Sequence, residues 1–178
     1  VTPQIEGQVM VTTKTVSLGA IVRGVRWSDL AARRPLWKAL SKPALAGFRD
    51  DGGILIGRNM AFKMALKVGD KLTLTVAKGE ATAFGTLPKR RTYRIAGIFD
   101  VGMHEYDSSF VFMPLESANR FFGMNDRVSG LEIYTVDPQT IGVTRSLVAD
   151  IIPGQLRVFD WVEQNRTFIN ALRVERNV

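Results

Sequence analysis

The chain has 178 residues, 46% of them hydrophobic and 23% charged, which suits one domain, or two intimately joined subdomains, with a proper core and argues against disorder. It contains no cysteine, which removes disulfides, thiolate nucleophiles and cysteine-based metal sites together, and it has no run of about 18 apolar residues that would span a membrane. The formal net charge of +7 points to partners of opposite sign, but the basic residues are not interleaved with stacking aromatics and no helix-turn-helix, zinc-finger or RNP-like pattern occurs, so nucleic acid is not expected.

In chain order, Val1 leads into Thr-Pro-Gln-Ile-Glu-Gly with no leader pattern, and Gln8–Thr13 and Leu18–Val25 read as two neighbouring strands. Ser28 offers a cap to a helix through Arg34, Pro35 should end or kink it before Leu36–Leu40, and Ser41-Lys42-Pro43 closes this part. Asp50-Asp51-Gly52-Gly53 is a turn into a buried strand, Ile54–Gly57. A helix is expected from Asn59 to about Lys67, with Met60/Met64 and Phe62/Leu66 each four apart along its faces. Val68-Gly69-Asp70 then turns into a strand where Leu72, Leu74 and Val76 alternate with Thr73 and Thr75, one face buried and one wet. A returning strand runs from Tyr93 to Phe99, and Asp100–Asp107 reads as a polar loop.

A strand over Ser109–Met113 follows, then a short helix with Leu115, Ala118, Phe121 and Phe122 on one side, stopped at Gly123. Leu131–Val136 alternates as a strand, and Asp137-Pro138 starts a helix carrying Leu147, Val148 and Ile151 up to Pro153-Gly154. Leu156–Phe159 is read as a last short strand. Asp160, with Glu163 three residues on, caps a final helix that runs to about Val178, with Trp161, Phe168 and Leu172 on one side.

Between the two arms, Val76 to Arg91, lie more residues than a tight hairpin needs. Phe84 sits between Ala83 and Gly85, Leu87-Pro88 follows, and Lys89-Arg90-Arg91 stands where the chain re-enters the strand. From Lys78 to Arg94 there are five basic residues against Glu80 alone. An apolar tip on a cationic root suits a partner with an apolar cavity and an acidic rim; a loop whose phenylalanine is incidental is the other reading.

Catalytic chemistry is hard to assemble. The one imidazole, His104, lies beside Glu105 and Asp107 without a second histidine at metal-ligating spacing. Met60 and Met64 lack a third soft ligand, so they read as core. Gly57-Arg58-Asn59 follows a strand without a GxGxxG or Walker pattern, and Asp50 and Asp51 read as turn formers. No catalytic residue, metal or cofactor is expected, leaving a non-enzymatic docking or coupling domain; an enzyme with a lone carboxylate in the Asp100–Asp107 loop is the third reading, tested at Glu105.

Several stretches, in order, carry a family resemblance: Val22-Arg23-Gly24-Val25, Ile54-Leu55-Ile56-Gly57 before a helix, Val68-Gly69-Asp70 before a strand, Tyr93–Phe99, Phe112-Met113-Pro114-Leu115, Val128-Ser129-Gly130-Leu131 and the tail Leu172–Val178. Together they resemble the LolC/LolE permeases of the lipoprotein-releasing ABC transporter, in the periplasmic domain between the first two membrane spans. The resemblance covers nearly the whole chain, through motifs that are each short.

It implies an α+β fold, a MacB-like periplasmic core domain with a Porter-like part (1–45 and 129–178), a Sabre-like part (46–128) and a protruding β-hairpin hook. The hook falls on Ala77, Lys78, Gly79, Glu80, Ala81, Thr82, Ala83, Phe84, Gly85, Thr86, Leu87 and Pro88, and an adjoining polar pad on Thr73, Arg90 and Arg91. Thr73 stands where the family pattern has an arginine, and no proline precedes Phe84. The implied partners are the periplasmic chaperone LolA, a partner permease, a cytoplasmic ATPase subunit and lipoprotein cargo. The parent chain would be membrane-embedded, with this domain on the periplasmic face of the bacterial inner membrane. The tail and Val128-Ser129-Gly130 look LolE-like, so a LolC-like, a LolE-like and a hybrid subunit all stay open. A MacB- or FtsX-like mechanical coupling domain that binds no chaperone is the alternative.

Overall fold

β1 (Thr2–Thr12) and β2 (Ser17–Val25) form an antiparallel hairpin registered from Gln4↔Val25 to Thr12↔Ser17, as the two β-branched runs predict. The computed structural model describes residues 1–82, 85–135, 137, 140–154, 156–160 and 163, with backbone placement only over 77–82 and 85–87. The chain separates into two compact units, Val1–Glu132 and Ile133–Val178.

In the first unit, β3 (Ile54–Gly57), β4 (Lys71–Thr82), β5 (Gly85–Phe99), β6 (Phe110–Pro114) and β7 (Gly130–Glu132) join the hairpin in one sheet ordered β2-β6-β3-β5-β4-β1-β7. Because β1 also pairs with β2, six of these strands close into a ring, which leaves no free edge along the closed part. The strands of both expected parts, Porter-like and Sabre-like, thus contribute to this one sheet.

The interior of the ring is filled from β1, β2, β3 and β6 by Ile5, Val9, Val11, Val22, Ile54, Ile56, Val111 and Met113, and from β4 and β5 by Leu72, Leu74 and Ile95. Two helices add to this cluster: α4 (Arg58–Lys63) inserts Met60 and Ala61, and α6 (Leu115–Phe122) inserts Ala118 and Phe121. The close fit of α6 needs glycine on the strands, since a Cβ on Gly24 would lie 2.3 Å from the Ala118 Cβ. On the other face of β2, β3, β5 and β6, a second cluster of Val25, Leu55, Phe99, Phe110 and Phe112 is covered by Leu30, Leu36 and Phe48. These come from α1 (Trp27–Leu30), α2 (Arg34–Lys38) and α3 (Lys42–Asp50). β3 and β6 are therefore buried on both faces, as unbroken apolar runs require.

Several local expectations need correction. Ser28 lies inside α1, whose cap position is Arg26. Ser41-Lys42-Pro43 opens a helix: the Ser41 hydroxyl accepts from the Ala44 N–H at 3.4 Å, and proline suits the first turn, where no intrahelical bond is lost. α4 stops at Lys63 and Ala65 turns to a φ of 52°, so the Phe62 and Leu66 pairing is lost and Phe62 is 87% exposed. The Asp100–Asp107 segment holds a short helix, α5 (His104–Ser109). Gly123 does end α6 in the left-handed conformation, with φ 65°.

Of the expected Leu131–Val136 strand, Leu131 and Glu132 belong to β7, 133–135 are not strand, and Val136 lies outside the described residues. In the second unit, α7 (Ile141–Ile151) forms with no buried residue, and Leu156–Phe159 is not a strand. Asp160 does act as a cap, its Oδ1 accepting the Glu163 N–H at 2.7 Å. Arg145 reaches both Asp160 and Glu163, at 3.5 and 3.0 Å. The rest of the expected final helix lies outside the described residues.

Candidate functional site

The point at which the β4–β5 pair leaves the ring can be read from register. β4 pairs with β1 only at Met10↔Thr75, Val11↔Leu74 and Thr12↔Thr73. A straight continuation of β4 past Thr75 would run along β1 past Val9, Gln8 and Gly7 to Glu6 and Gln4, where the edge is occupied. Thr2, Pro3 and Gln4 pair with β7, and Ser129 accepts the Glu6 N–H at 2.7 Å and donates from its own N–H to the Gln4 carbonyl at 3.0 Å. β4 leaves β1 after Thr75, before it would meet that occupied stretch. Beyond Val76, β4 and the opposing part of β5 pair only with each other among the described residues, as a two-stranded ribbon reaching to Thr82↔Gly85.

The ribbon has an interruption. Val76 pairs with Lys89 and the next pair is Glu80↔Leu87, so three residues of β4 stand opposite Pro88 alone. Proline has no N–H to give to the ladder, which makes this the natural position for a bulge. Of the predicted hook, 77–82 and 85–87 are strand in backbone, Pro88 is exposed, and Ala83 and Phe84 lie outside the described residues.

The predicted pad divides between two faces. Thr73 pairs with Thr92 and Thr75 with Arg90, so Thr73 and Arg90 share the outer face; the Thr73 and Thr92 hydroxyls are 2.9 Å apart. Arg91 lies opposite Leu74 and shares its face with Lys89 and Tyr93. That face meets α6: Lys89 Nζ donates to the Arg120 carbonyl at 3.0 Å, and the Tyr93 ring stands edge-on to Phe121 with centroids 6.0 Å apart. Burial raises the Tyr93 pKa above the ordinary tyrosine value, and the nearby Arg91 and Arg120 guanidinium groups oppose the shift. Tyr93 Oη is buried and finds no hydrogen-bond partner of good geometry. Arg120, three decades along the chain from Arg91, carries no signal in the sequence that would associate it with the ribbon.

Elsewhere the polar groups are held by neighbours. The His104 ring is exposed, with Nδ1 3.3 Å from Asn59 Nδ2 and Nε2 3.5 Å from Ser108 Oγ. Asp107 is buried and accepts the N–H groups of Val101 at 3.0 Å and Gly102 at 3.1 Å, which fixes the turn before α5. Its chain is also pressed against β3, since a Cβ on Gly57 would lie 2.2 Å from the Asp107 carbonyl oxygen. Asp50 is paired with Arg49 at 2.6 Å, which holds its carboxyl below the usual range. Among the described residues no group of three or more His, Asp or Glu side chains is arranged to hold a metal ion, and no helix is long and apolar enough to cross a membrane.

No family model matches the chain. Among curated proteins, the "Lipoprotein-releasing system transmembrane protein LolC" of Neisseria meningitidis serogroup B is 23% identical over 181 residues, 99% of this chain and 43% of that protein. The corresponding LolE of Haemophilus influenzae is 24% identical over 132 residues, 74% of this chain and 32% of that protein. The chain thus spans less than half the length of these relatives. The extracellular domain of the "noncanonic ABC-type transporter YknZ from Gram-positive bacteria" has the same kind of fold, with a TM-score of 0.51 at 16% identity over 84% of this chain and 73% of that one. The motifs, the LolC and LolE identities and the common fold together make this chain a relative of the LolC/LolE permeases, an extramembrane domain of that kind.

Proposed function

We propose that this chain is the periplasmic domain of a lipoprotein-releasing permease on the inner membrane, and that its β4–β5 ribbon is the hook that docks the chaperone LolA, onto which lipoprotein passes. The observation that supports this reading is the divergence of the ribbon from β1 at Val76, which frees both arms from any third strand among the described residues. Phe84 at the tip would enter an apolar cavity on the chaperone, and burying it contributes roughly 1.5 to 3 kcal/mol. Thr73, Arg90 and Arg91 at the root would meet its polar rim. Such a contact is modest, which suits a carrier that must leave with its cargo. In this reading the chain performs no catalysis, and ATP hydrolysis belongs to a separate cytoplasmic subunit that works with a partner permease.

The test is pull-down of LolA by the Phe84→Asp variant. Loss of capture is expected; undiminished capture would remove the hook assignment. The fold similarity to the YknZ extracellular domain supports a second reading, in which the domain couples motion within an efflux-type permease and binds no chaperone. That reading expects no capture by the unaltered chain.

A further inference from the structure

The helical layer over β2, β3, β5 and β6 has an outer face that the docking reading does not use. Between Leu30 and Arg49 the chain carries five basic residues, Arg33, Arg34, Lys38, Lys42 and Arg49, and no acidic one. Arg33 is paired with Glu132 and Arg49 with Asp50. Arg34, Lys38 and Lys42 are exposed, and among the described residues none of the three forms an ion pair. The helix does not ask for these cations: α3 opens on Lys42 with no acidic residue in its first turn, where the dipole favours negative charge.

On α3, Lys42, Leu45, Ala46 and Arg49 fall in one stripe, opposite the Ala44 and Phe48 that cover the sheet. This stripe and the half-buried indoles of Trp27 and Trp37 line a shallow apolar groove of about 240 Å³. The two rings stand 5.5 Å apart at 54°, and the Arg49 guanidinium lies over Trp27, 5.5 Å from its centroid. Arg34 and Lys38, four apart on α2, share a side of that helix next to Trp37.

Half-buried indoles with cations around them are the composition of a membrane interface, where the rings settle at the level of the headgroups and lysine and arginine reach anionic phosphates. An extramembrane domain of a permease is tethered beside a bilayer, so even a weak attraction is raised by the high local concentration of lipid. A protein partner would seat its anchor residues in a deeper pocket than this open groove provides.

We infer that the face made by Trp27, Trp37, Lys38, Lys42 and Arg49 rests on the anionic headgroups of a bilayer. The inference rests on the reading of this chain as an extramembrane domain of a permease, and it is independent of the ribbon. It assigns the helical layer to the membrane surface and leaves the hairpin to the protein partner.

The experiment sediments the 178-residue chain with phosphatidylglycerol vesicles and with phosphatidylcholine vesicles, at low and at moderate salt. Binding to the first lipid alone, weakened by salt, is expected. Lys38→Gln and Lys42→Gln each reduce partitioning about fivefold. Lys14→Gln, in the turn at the far end of the β1–β2 hairpin, stays within about twofold. In a Trp161→Phe background only Trp27 and Trp37 emit, and bromine-labelled acyl chains quench them on binding. The inference falls if the chain stays in the supernatant with both lipids, if it binds both equally, if Lys38→Gln and Lys42→Gln stay within twofold, or if it binds without quenching. A face reserved for an acidic protein would give the first of these results. LolA capture by the same preparation keeps the two readings apart: capture without vesicle binding overturns the inference alone, and vesicle binding without capture overturns the hook alone.

Discussion

β3 and β6, and the ribbon arms of the neighbouring β4 and β5, belong to one sheet but live under different physics. The first pair is buried on both faces, between the ring interior and the layer of α1, α2 and α3. On the ribbon arms Thr73, Arg90 and Thr92 face outward, and beyond Val76 the pairing is strand to strand with no third neighbour among the described residues. Where both faces are covered, side-chain identity is spent on packing. Where the pair stands by itself, substitutions are cheap for the fold, and chemistry can be placed there.

The largest expected effect tests the covered side. Phe112 is 1% exposed and stands edge-on to Phe99 at 5.5 Å, so Phe112→Ala should destabilise the chain by about 4 kcal/mol, read as a shifted urea midpoint. A smaller effect tests the ribbon: replacing 77–88 by Asn-Gly, which joins the paired positions Val76 and Lys89 with a two-residue hairpin turn, should change stability by less than about 1 kcal/mol while abolishing any LolA capture. A large loss of stability would break the contrast between the two regions.

The smallest effect lies at the boundary. Tyr93→Phe deletes a buried hydroxyl that forms no hydrogen bond of good geometry and should alter stability at neutral pH by less than about 0.5 kcal/mol. Because burial raises the Tyr93 pKa in the fold, its contribution is fully present below the unfolded tyrosine value of about 10 and is lost as pH rises through that value toward the folded one. The phenylalanine variant should therefore lose less stability between neutral pH and the alkaline range, measured by urea midpoints across it.

This contrast also governs what could be read from the residues. The alternation of Leu72 and Leu74 with Thr73 and Thr75 is legible because one face of β4 is wet. Phe110-Val111-Phe112-Met113 gives no such pattern, and only the folded chain reveals that the phenylalanines serve the helical layer while Val111 and Met113 serve the ring. Ser41-Lys42-Pro43 is ambiguous in itself, since proline both ends helices and suits their first turn; α3 exists because Ala44 and Phe48 have a sheet face to cover. The Phe62 and Leu66 spacing fails because a left-handed residue at Ala65 breaks the helix, and nothing local in alanine announces that. At the candidate site, the apolar tip and basic root are evident in the sequence. The division of Thr73 and Arg90 from Arg91 follows from strand parity, and the approach of Arg120 from tertiary packing alone.

The bulge opposite Pro88 has a further consequence for how such a ribbon can vary. Three residues of β4 stand against one of β5, a surplus of two, and two is the period of a strand. The pairs on either side of the interruption thus keep the same sense of inward and outward. A chain built this way can gain or lose residues in pairs without turning its tip over, each added pair on both arms lengthening the reach by roughly 7 Å. The length of such a ribbon is therefore free to change while the ring from which it extends stays the same.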